Sequence, residues 1–272
     1  MKKIFITIFI LTILFILYGF YINPKQLRVK EQTIESDKLT LGYNNLKIVH
    51  FSDLLLGSPT TTDDLDKISI KINEANPDII FFTGDLIKSN TKLTEEDSEK
   101  LIDFLKNLSC NLYKYAIIGD NDQQDIENYK TILTKGDFQL LDNEYTYLFY
   151  KDLHPIKIIG ITDPNDISKL YSNEEGIEPI YNIAITHQPD NLINLDKEKI
   201  DLYLAGHSEG GRINVPFIGR IIKKEGSKTY YESYYKVENT DVYISNGIGT
   251  EGSGFRIFNT PTINVYKLKS QK

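Results

Sequence analysis

The sequence predicts a mixed α/β sandwich that follows a single membrane-spanning helix. The first observation is an uncharged apolar run at the start of the chain, residues 4–22. The second is the alternation of strand-like and helix-like segments in the first half of the chain, and the third is the set of hairpin-like strands towards its end. With 272 residues, 40% of them hydrophobic, the chain is long enough to bury one sizeable core.

The apolar run is long enough to cross a bilayer. Its nineteen residues follow Lys2 and Lys3, and as a helix they span about 28 Å. The alternative is a cleaved signal peptide, whose apolar region is usually shorter, roughly 7–15 residues, and ends in small residues. Because this run ends in LYGFYINP, we predict an uncleaved anchor.

The anchor divides the chain into three predicted parts. Residues 1–24 form the membrane anchor, residues 25–45 a connecting segment with a candidate edge strand, and residues 46–272 the globular domain. The two leading lysines favour a cytoplasmic N-terminus, although further basic residues follow on the other flank. We therefore predict a single-pass protein of the cell membrane with its domain outside the cytoplasm.

Strands and helices of the domain are predicted in a regular order. Helix candidates cover residues 63–75, 94–109 and 123–135, and the second opens with a capping-box-like start at Thr94 and Asp97. Strands are predicted in LKIVHF, IIFFTG, LYKYAIIG, IKIIGITD, YNIAITH, DLYLAGH, DVYISNG and TINVYKL, and two hairpin-like strands in FQLLDNEYTYLFY.

Five of these apolar runs end in an acid or a histidine. The residues are Asp53, Asp85, Asp120, His187 and His207. A single Gly-Asp or His at a strand end is commonly a turn, a helix cap or a structural residue. The carboxyl ends of strands in an α/β sheet converge on one crevice, however, so five such ends together predict a metal site. His50 and His154 are interpreted as structural.

The charge balance argues against nucleic acid as a partner. The formal net charge is −7, and the domain alone is more acidic because two of the lysines precede the anchor. A protein that binds the phosphate backbone requires a basic surface.

The ordered blocks of the sequence resemble those of the calcineurin-like metallophosphoesterases, in particular the membrane-anchored bacterial branch. The blocks are FSDLLLG, TGDLIKSN, IIGDNDQQ, AITHQPD, AGHSEGGRINVPFIG and DVYISNGIGTEGSGFRIFNTP, and they cover roughly residues 46 to 266. The resemblance implies a four-layer α/β/β/α sandwich of two mixed sheets. It also implies two divalent metals that share one aspartate and activate a phosphoryl group and its nucleophile.

One metal half-site is retained when the family pattern is carried over. The resemblance implies that Asp85 is the bridging ligand and that His187 and His207 complete the set, with Asp120 where the family has asparagine. Oxygen and imidazole ligands suit Mn, Fe, Zn or Mg.

The other half-site has lost its histidines. It would use Asp53, Asp85 and two histidines, but the sequence has Leu55 and Glu209 at those positions. Leucine cannot coordinate a metal, so three carboxylates remain. Such a set favours a hard cation such as Mg, Mn or Ca, and the chain is predicted to hold one or two divalent ions.

Further departures affect the candidate catalytic residues. Asn121 replaces the histidine that resembles a general acid or transition-state contact, and Asp122 matches the acid that closes the same block. Lys88 replaces the last acid of the G-D-x-x-D block. With four site carboxylates and a single divalent ion, a phosphate would be attracted only if cations help, and Lys88, Arg212 and Arg256 are the candidates.

Two functions of different classes follow. The first is a membrane-tethered, metal-dependent phosphoesterase-like hydrolase that acts on a phosphomonoester, phosphodiester or pyrophosphate bond, including that of a lipid-linked or phospholipid-like substrate. The second is a catalytically impaired pseudoenzyme of the same fold that serves as a binding module, as Leu55, Asn121 and Glu209 suggest.

Overall fold

The computed structural model describes residues 1–272, with four α-helices and fourteen strands. The helices are α1 (Lys2–Leu17), α2 (Leu65–Glu74), α3 (Glu95–Lys106) and α4 (Ile126–Lys135). The strands are β1 (Arg28–Ser36), β2 (Lys47–Phe51), β3 (Ile79–Phe82), β4 (Tyr113–Ala116), β5 (Gln139–Leu140), β6 (Glu144–Leu148), β7 (Ile156–Ile161), β8 (Tyr181–Thr186), β9 (Leu202–Ala205), β10 (Asn214–Val215), β11 (Gly219–Arg220), β12 (Tyr234–Val237), β13 (Thr240–Ile244) and β14 (Thr262–Ser270).

Two six-stranded mixed sheets form the centre of the domain, as predicted. The first has the order β1-β14-β2-β3-β4-β5 and the second β12-β13-β9-β8-β7-β6, while β10 and β11 form a separate hairpin. Strands β2, β3 and β4 are parallel, and so are β7, β8 and β9. The carboxyl ends of six central strands therefore meet along one edge of the sandwich.

Alternation along the strands separates two faces of each sheet. In β3, Ile80 and Phe82 pack against the three helices α2, α3 and α4, whereas Ile79 and Phe81 pack against the second sheet. The outer face of the second sheet is covered by loops and by short 3₁₀ helices, among them Pro189–Asn194. The four-layer sandwich is thus confirmed, with 3₁₀ turns in place of α-helices in its last layer.

One local prediction is wrong. The two strands in residues 138–150 do not pair as a hairpin, because β5 pairs with β4 in the first sheet and β6 pairs with β7 in the second. Leu141, between them, is fully buried and donates its backbone N–H to Ala116. The chain crosses from one sheet to the other at this point, so the apolar residues on either side serve different sheets.

The N-terminal helix is the one helix in the structure that is long and apolar enough to cross a membrane. It extends from Lys2 to Lys25 when the turns after α1 are included, and its side chains are almost entirely exposed. Strand β1 follows it, within the segment 25–45 for which an edge strand is predicted, and lies at the edge of the first sheet in parallel with β14.

Candidate metal centre

Five predicted site residues lie at the common edge of the sandwich, each just after a strand. Asp53 follows β2, Asp85 follows β3, Asp120 follows β4, and His187 and His207 follow β8 and β9. Asp53, Asp85 and His207 have φ angles of 50°, 60° and 63°. Non-glycine residues rarely adopt this left-handed conformation, and they cluster at functional sites when they do.

The loops that carry these residues approach each other closely. A Cβ atom on Gly119 would lie 2.3 Å from the Asp85 nitrogen and 2.5 Å from its Oδ1. We therefore expect every substitution of Gly119 to disturb the site. Only a residue without a side chain lets the loop after β4 approach the loop after β3 this closely.

Asp85, His187 and His207 form a buried cluster whose ligand atoms all lie within 4.8 Å of one another. His187 Nε2 lies 3.3 Å from Asp85 Oδ2 and 3.2 Å from His207 Nδ1. Asp120 Oδ2 lies 3.2 Å from the same His207 nitrogen. All four residues predicted for the retained half-site are therefore brought together.

Backbone carbonyls orient both imidazoles towards the cluster. The outer nitrogen of His187, Nδ1, lies 2.7 Å from the Thr83 carbonyl, and His207 Nε2 contacts the Glu225 carbonyl. An outer N–H that donates to a carbonyl leaves the other nitrogen with its lone pair facing inwards, which is the usual arrangement of metal-binding histidines. The inner nitrogens of both rings lie beside carboxylate oxygens, and this donor set fits a divalent metal.

The charges in the cluster are strongly coupled. Burial opposes the protonated His187 ring, but Asp85, Asp53 and Asp120 outweigh it and raise the pKa of His187 to about 10. Burial likewise opposes ionisation of Asp85, yet His187 lowers the pKa of that carboxyl to about 2. Burial and the charge of His187 lower the pKa of His207 to about 4. The surrounding carboxylates thus favour the protonated form of His187.

Asp122 holds the loops of the centre in place. Its two oxygens accept backbone N–H groups from Asp85, Leu86 and Gly119 at 2.8 to 2.9 Å. Burial raises its pKa to about 7. These contacts position Asp85, and the catalytic role of Asp122 stays a prediction.

The second half-site has a lysine where the sequence predicts only carboxylates. Glu209 is fully buried, and its Oε1 lies 3.0 Å from Lys224 Nζ. Burial raises the pKa of Asp53 and His187 lowers that of Asp85, and at both carboxyls the nearby charge of Lys224 favours the ionised form. Leu55 is fully buried and offers no ligand. The half-site thus contains a built-in ammonium group.

Asp53 remains without a partner for one of its oxygens. Oδ2 accepts the His207 backbone N–H at 3.0 Å, but Oδ1 is buried without a hydrogen bond. Burial is the main reason why its pKa is raised to about 6. A buried carboxylate oxygen without a hydrogen-bond donor is available to a cation.

Asn121 contacts Asp85 directly. Its backbone N–H donates to Asp85 Oδ1 at 2.8 Å, and its side-chain Nδ2 donates to Asp85 Oδ2 at 3.0 Å and to Glu251 Oε1 at 2.7 Å. An amide at this position can donate hydrogen bonds but cannot transfer a proton. Glu251 was not predicted as a site residue.

The predicted cations differ in their proximity to the carboxylates. Arg212 lies beside Glu209, with 3.8 Å between Nε and Oε2, and donates to the Glu251 carbonyl. Arg256 is fully buried, donates to Thr250 and to the backbone, and its charge acts on Glu209. Lys88 instead donates to the Ser58 and Gly252 carbonyls and has no carboxylate partner.

Lys224 and Glu251 were not predicted from the sequence as site residues. The reason is clear for Lys224. Lys224 lies in the polar segment IIKKEGSK, which has no periodicity and no motif. The only available signal was charge compensation, because a buried glutamate in place of a histidine requires a nearby cation.

Comparison with known proteins gives the following relatives. Residues 46–208 match the family model described as calcineurin-like phosphoesterase. The uncharacterized metallophosphoesterase YkuE of Bacillus subtilis is 32% identical over 93% of this chain and 89% of its own length. The UDP-2,3-diacylglucosamine pyrophosphatase LpxG of Chlamydia muridarum is 25% identical over 91% of both chains. A transmembrane protein with metallophosphoesterase domain from Danio rerio is 26% identical over 96% of this chain and 61% of its own length.

Proposed function

Because the chain belongs to the calcineurin-like metallophosphoesterase family, we propose that it is a membrane-tethered, metal-dependent phosphoesterase. The observation that supports this most directly is the buried cluster of Asp85, His187 and His207, whose ligand atoms lie within 4.8 Å of one another. Asp120 completes the proposed ligand set. A divalent ion bound there supplies Lewis-acid polarisation of a phosphoryl oxygen.

We propose further that a single ion is held and that Lys224 takes the place of the second cation. The Lys224 ammonium lies against Glu209, beside Asp53 and Asp85, where the family pattern has its other ion. Five carboxylates surround the centre: Asp53, Asp85, Asp120, Glu209 and Glu251. One divalent ion together with Lys224, Arg212 and Arg256 balances their formal charge, so that a phosphate is not repelled.

Asn121 limits the choice of substrate. It stabilises negative charge through its N–H groups, but it cannot give a proton to a departing alcohol. We therefore expect a leaving group that departs as a stable anion, as in the cleavage of a pyrophosphate bond. LpxG, by its name, is a pyrophosphatase of a diacylated sugar nucleotide, and a lipid-linked pyrophosphate is the substrate class that we propose here.

The membrane tether is part of the proposal. We assign it to residues 1–24, with the connecting segment over residues 25–45 and the hydrolase domain over residues 46–272. The domain would lie outside the cytoplasm and meet its substrate at the membrane surface. The transmembrane relative from Danio rerio supports a membrane protein.

A second candidate function rests on Leu55, Asn121 and Glu209. Each replaces a histidine of the family pattern, and the buried Glu209–Lys224 pair makes the centre stable without a second ion. A pseudoenzyme that uses the metal for structure, or binds a phosphate without cleaving it, has these features.

The first test is the metal content and activity of the full-length protein in detergent micelles. After treatment with a chelator and reloading with Mn²⁺, we expect one ion per chain by elemental analysis and metal-dependent hydrolysis of bis(p-nitrophenyl) phosphate. One bound ion without turnover of aryl phosphodiesters or pyrophosphates would favour the pseudoenzyme. Two bound ions would contradict the role of Lys224.

A further inference from the structure

The hairpin formed by β10 and β11 carries unusually exposed apolar side chains. Phe217 at its tip is fully exposed, and the neighbouring Ile218 is 75% exposed. Ile221, which follows the hairpin, is 52% exposed. Exposed apolar side chains that are contiguous mark a surface that is covered in the functional state.

The base of this hairpin belongs to the metal centre. Arg212, which contacts Glu209, lies directly before it in the chain. The Asn214 backbone N–H donates to the Ile257 carbonyl at 3.0 Å, and the Ile257 N–H donates to Arg212 at 2.9 Å. The hairpin is thus attached on one side to the centre and on the other to the segment 255–259.

That segment packs against the anchor helix. The Arg256 backbone N–H donates to the Gly19 carbonyl at 3.0 Å, and the rings of Phe20 and Phe255 lie 4.9 Å apart. A Cβ atom on Gly19 would lie 2.2 Å from the Phe255 ring. The C-terminal end of the anchor therefore packs closely against the domain.

The position of Phe258 relates the domain to the depth of the bilayer. Its half-exposed ring lies 5.9 Å from that of Phe15. Phe15 precedes Lys25 by ten residues, which is about 15 Å along a helix. Phe258 therefore lies beside a part of the anchor that we assign to the membrane. The hairpin, which is bonded to the adjacent Ile257, starts close to that part of the anchor.

We propose that the tip of the β10–β11 hairpin, with Phe217 and Ile218, inserts into the same bilayer face that the anchor enters. This inference rests on the proposed membrane tether. Aromatic and aliphatic side chains of interfacial segments are buried about 5–10 Å into the headgroup boundary. Anchor and hairpin are two points of attachment, and the metal centre adjoins the base of the hairpin through Arg212. The substrate phosphate is then one that lies at the lipid–water interface, as on a lipid headgroup.

The chain itself offers a direct test, because it contains no tryptophan. Single variants Phe217→Trp, Phe9→Trp and Leu153→Trp are each placed, as full-length protein, in nanodiscs with or without lipids brominated near the headgroup end of their acyl chains. Phe9 lies within α1. Leu153 is 89% exposed and precedes β7, at the opposite end of the sheet from the centre. The introduced tryptophan is excited at a wavelength that the 18 tyrosines do not absorb, and its fluorescence emission is measured.

We expect brominated lipids to quench Phe9→Trp and Phe217→Trp and to leave Leu153→Trp unchanged. Quenching of Phe9→Trp without quenching of Phe217→Trp would overturn the hairpin proposal and leave the tether intact. Absence of quenching at Phe9→Trp would instead refute the tether. A blue-shifted but unquenched Phe217→Trp would show that protein, such as a second copy, covers the tip, and it would also overturn the proposal.

Discussion

The His187→Ala variant is expected to lose at least about 10³-fold in kcat/KM and to bind no Mn²⁺ at the concentration that saturates the unmodified protein. Metal ions contribute several kcal/mol to transition-state stabilisation, and each 1.36 kcal/mol corresponds to a factor of ten in rate. His187 also lies at the middle of the cluster, 3.3 Å from Asp85 and 3.2 Å from His207. Its removal therefore affects the whole ligand set.

His154→Ala is the matched control for this variant. His154 is exposed, and its ring contacts only Asp152, far along the chain from any site residue. Metal content and turnover should remain those of the unmodified protein. If His187→Ala kept its activity, the cluster would not be the reaction centre. If His187→Ala lost the ion but still bound phosphate as tightly as the unmodified protein does, the binding-module function would be favoured.

The predictability of the site follows from its position at strand ends. Asp53, Asp85, Asp120, His187 and His207 could be found because each ends an apolar run, and parallel strands in one sandwich bring their carboxyl ends to one edge. The same reasoning failed for residues 138–150, since apolar alternation does not reveal that the chain changes sheets at Leu141. The alternation of apolar and polar residues predicts which face of a strand a side chain lies on. It does not show which of the two sheets the strand joins.

Lys224 and the hairpin tip were not predictable for a different reason. Both lie in the irregular stretch between β9 and β12, where position is set by contacts made after folding rather than by periodicity. Lys224 is fixed by its partner Glu209, and Phe217 is notable only because nothing in the domain covers it. A sequence identifies residue types in such loops, but their burial or exposure emerges only in the folded chain.

Lys224 is the residue whose removal distinguishes the proposed single-ion centre from a passive structural pair. Lys224→Met should lower kcat/KM about 10²-fold, which is the usual loss when one preorganised positive group is removed from a developing anion. It should also lower the free energy of unfolding by about 3 kcal/mol, because the buried Glu209 would lose its ion pair with Lys224 and keep the longer one with Arg212, 3.8 Å from Nε to Oε2. Activity and stability are thus both affected, and the single variant does not separate them.

The double variant Lys224→Met with Glu209→Gln separates the two effects. A glutamine at 209 carries no charge, and its amide oxygen still accepts the Glu251 backbone N–H that Glu209 accepts at 3.0 Å. Stability should return towards that of the unmodified protein, as it does when both members of a buried pair are replaced, while kcat/KM stays low. Lys223→Met is the control, since the neighbouring lysine is exposed and lies over the Tyr231 ring. A stable double variant with full activity would mean that Lys224 only neutralises Glu209, and the missing second cation would then have to come from another ion.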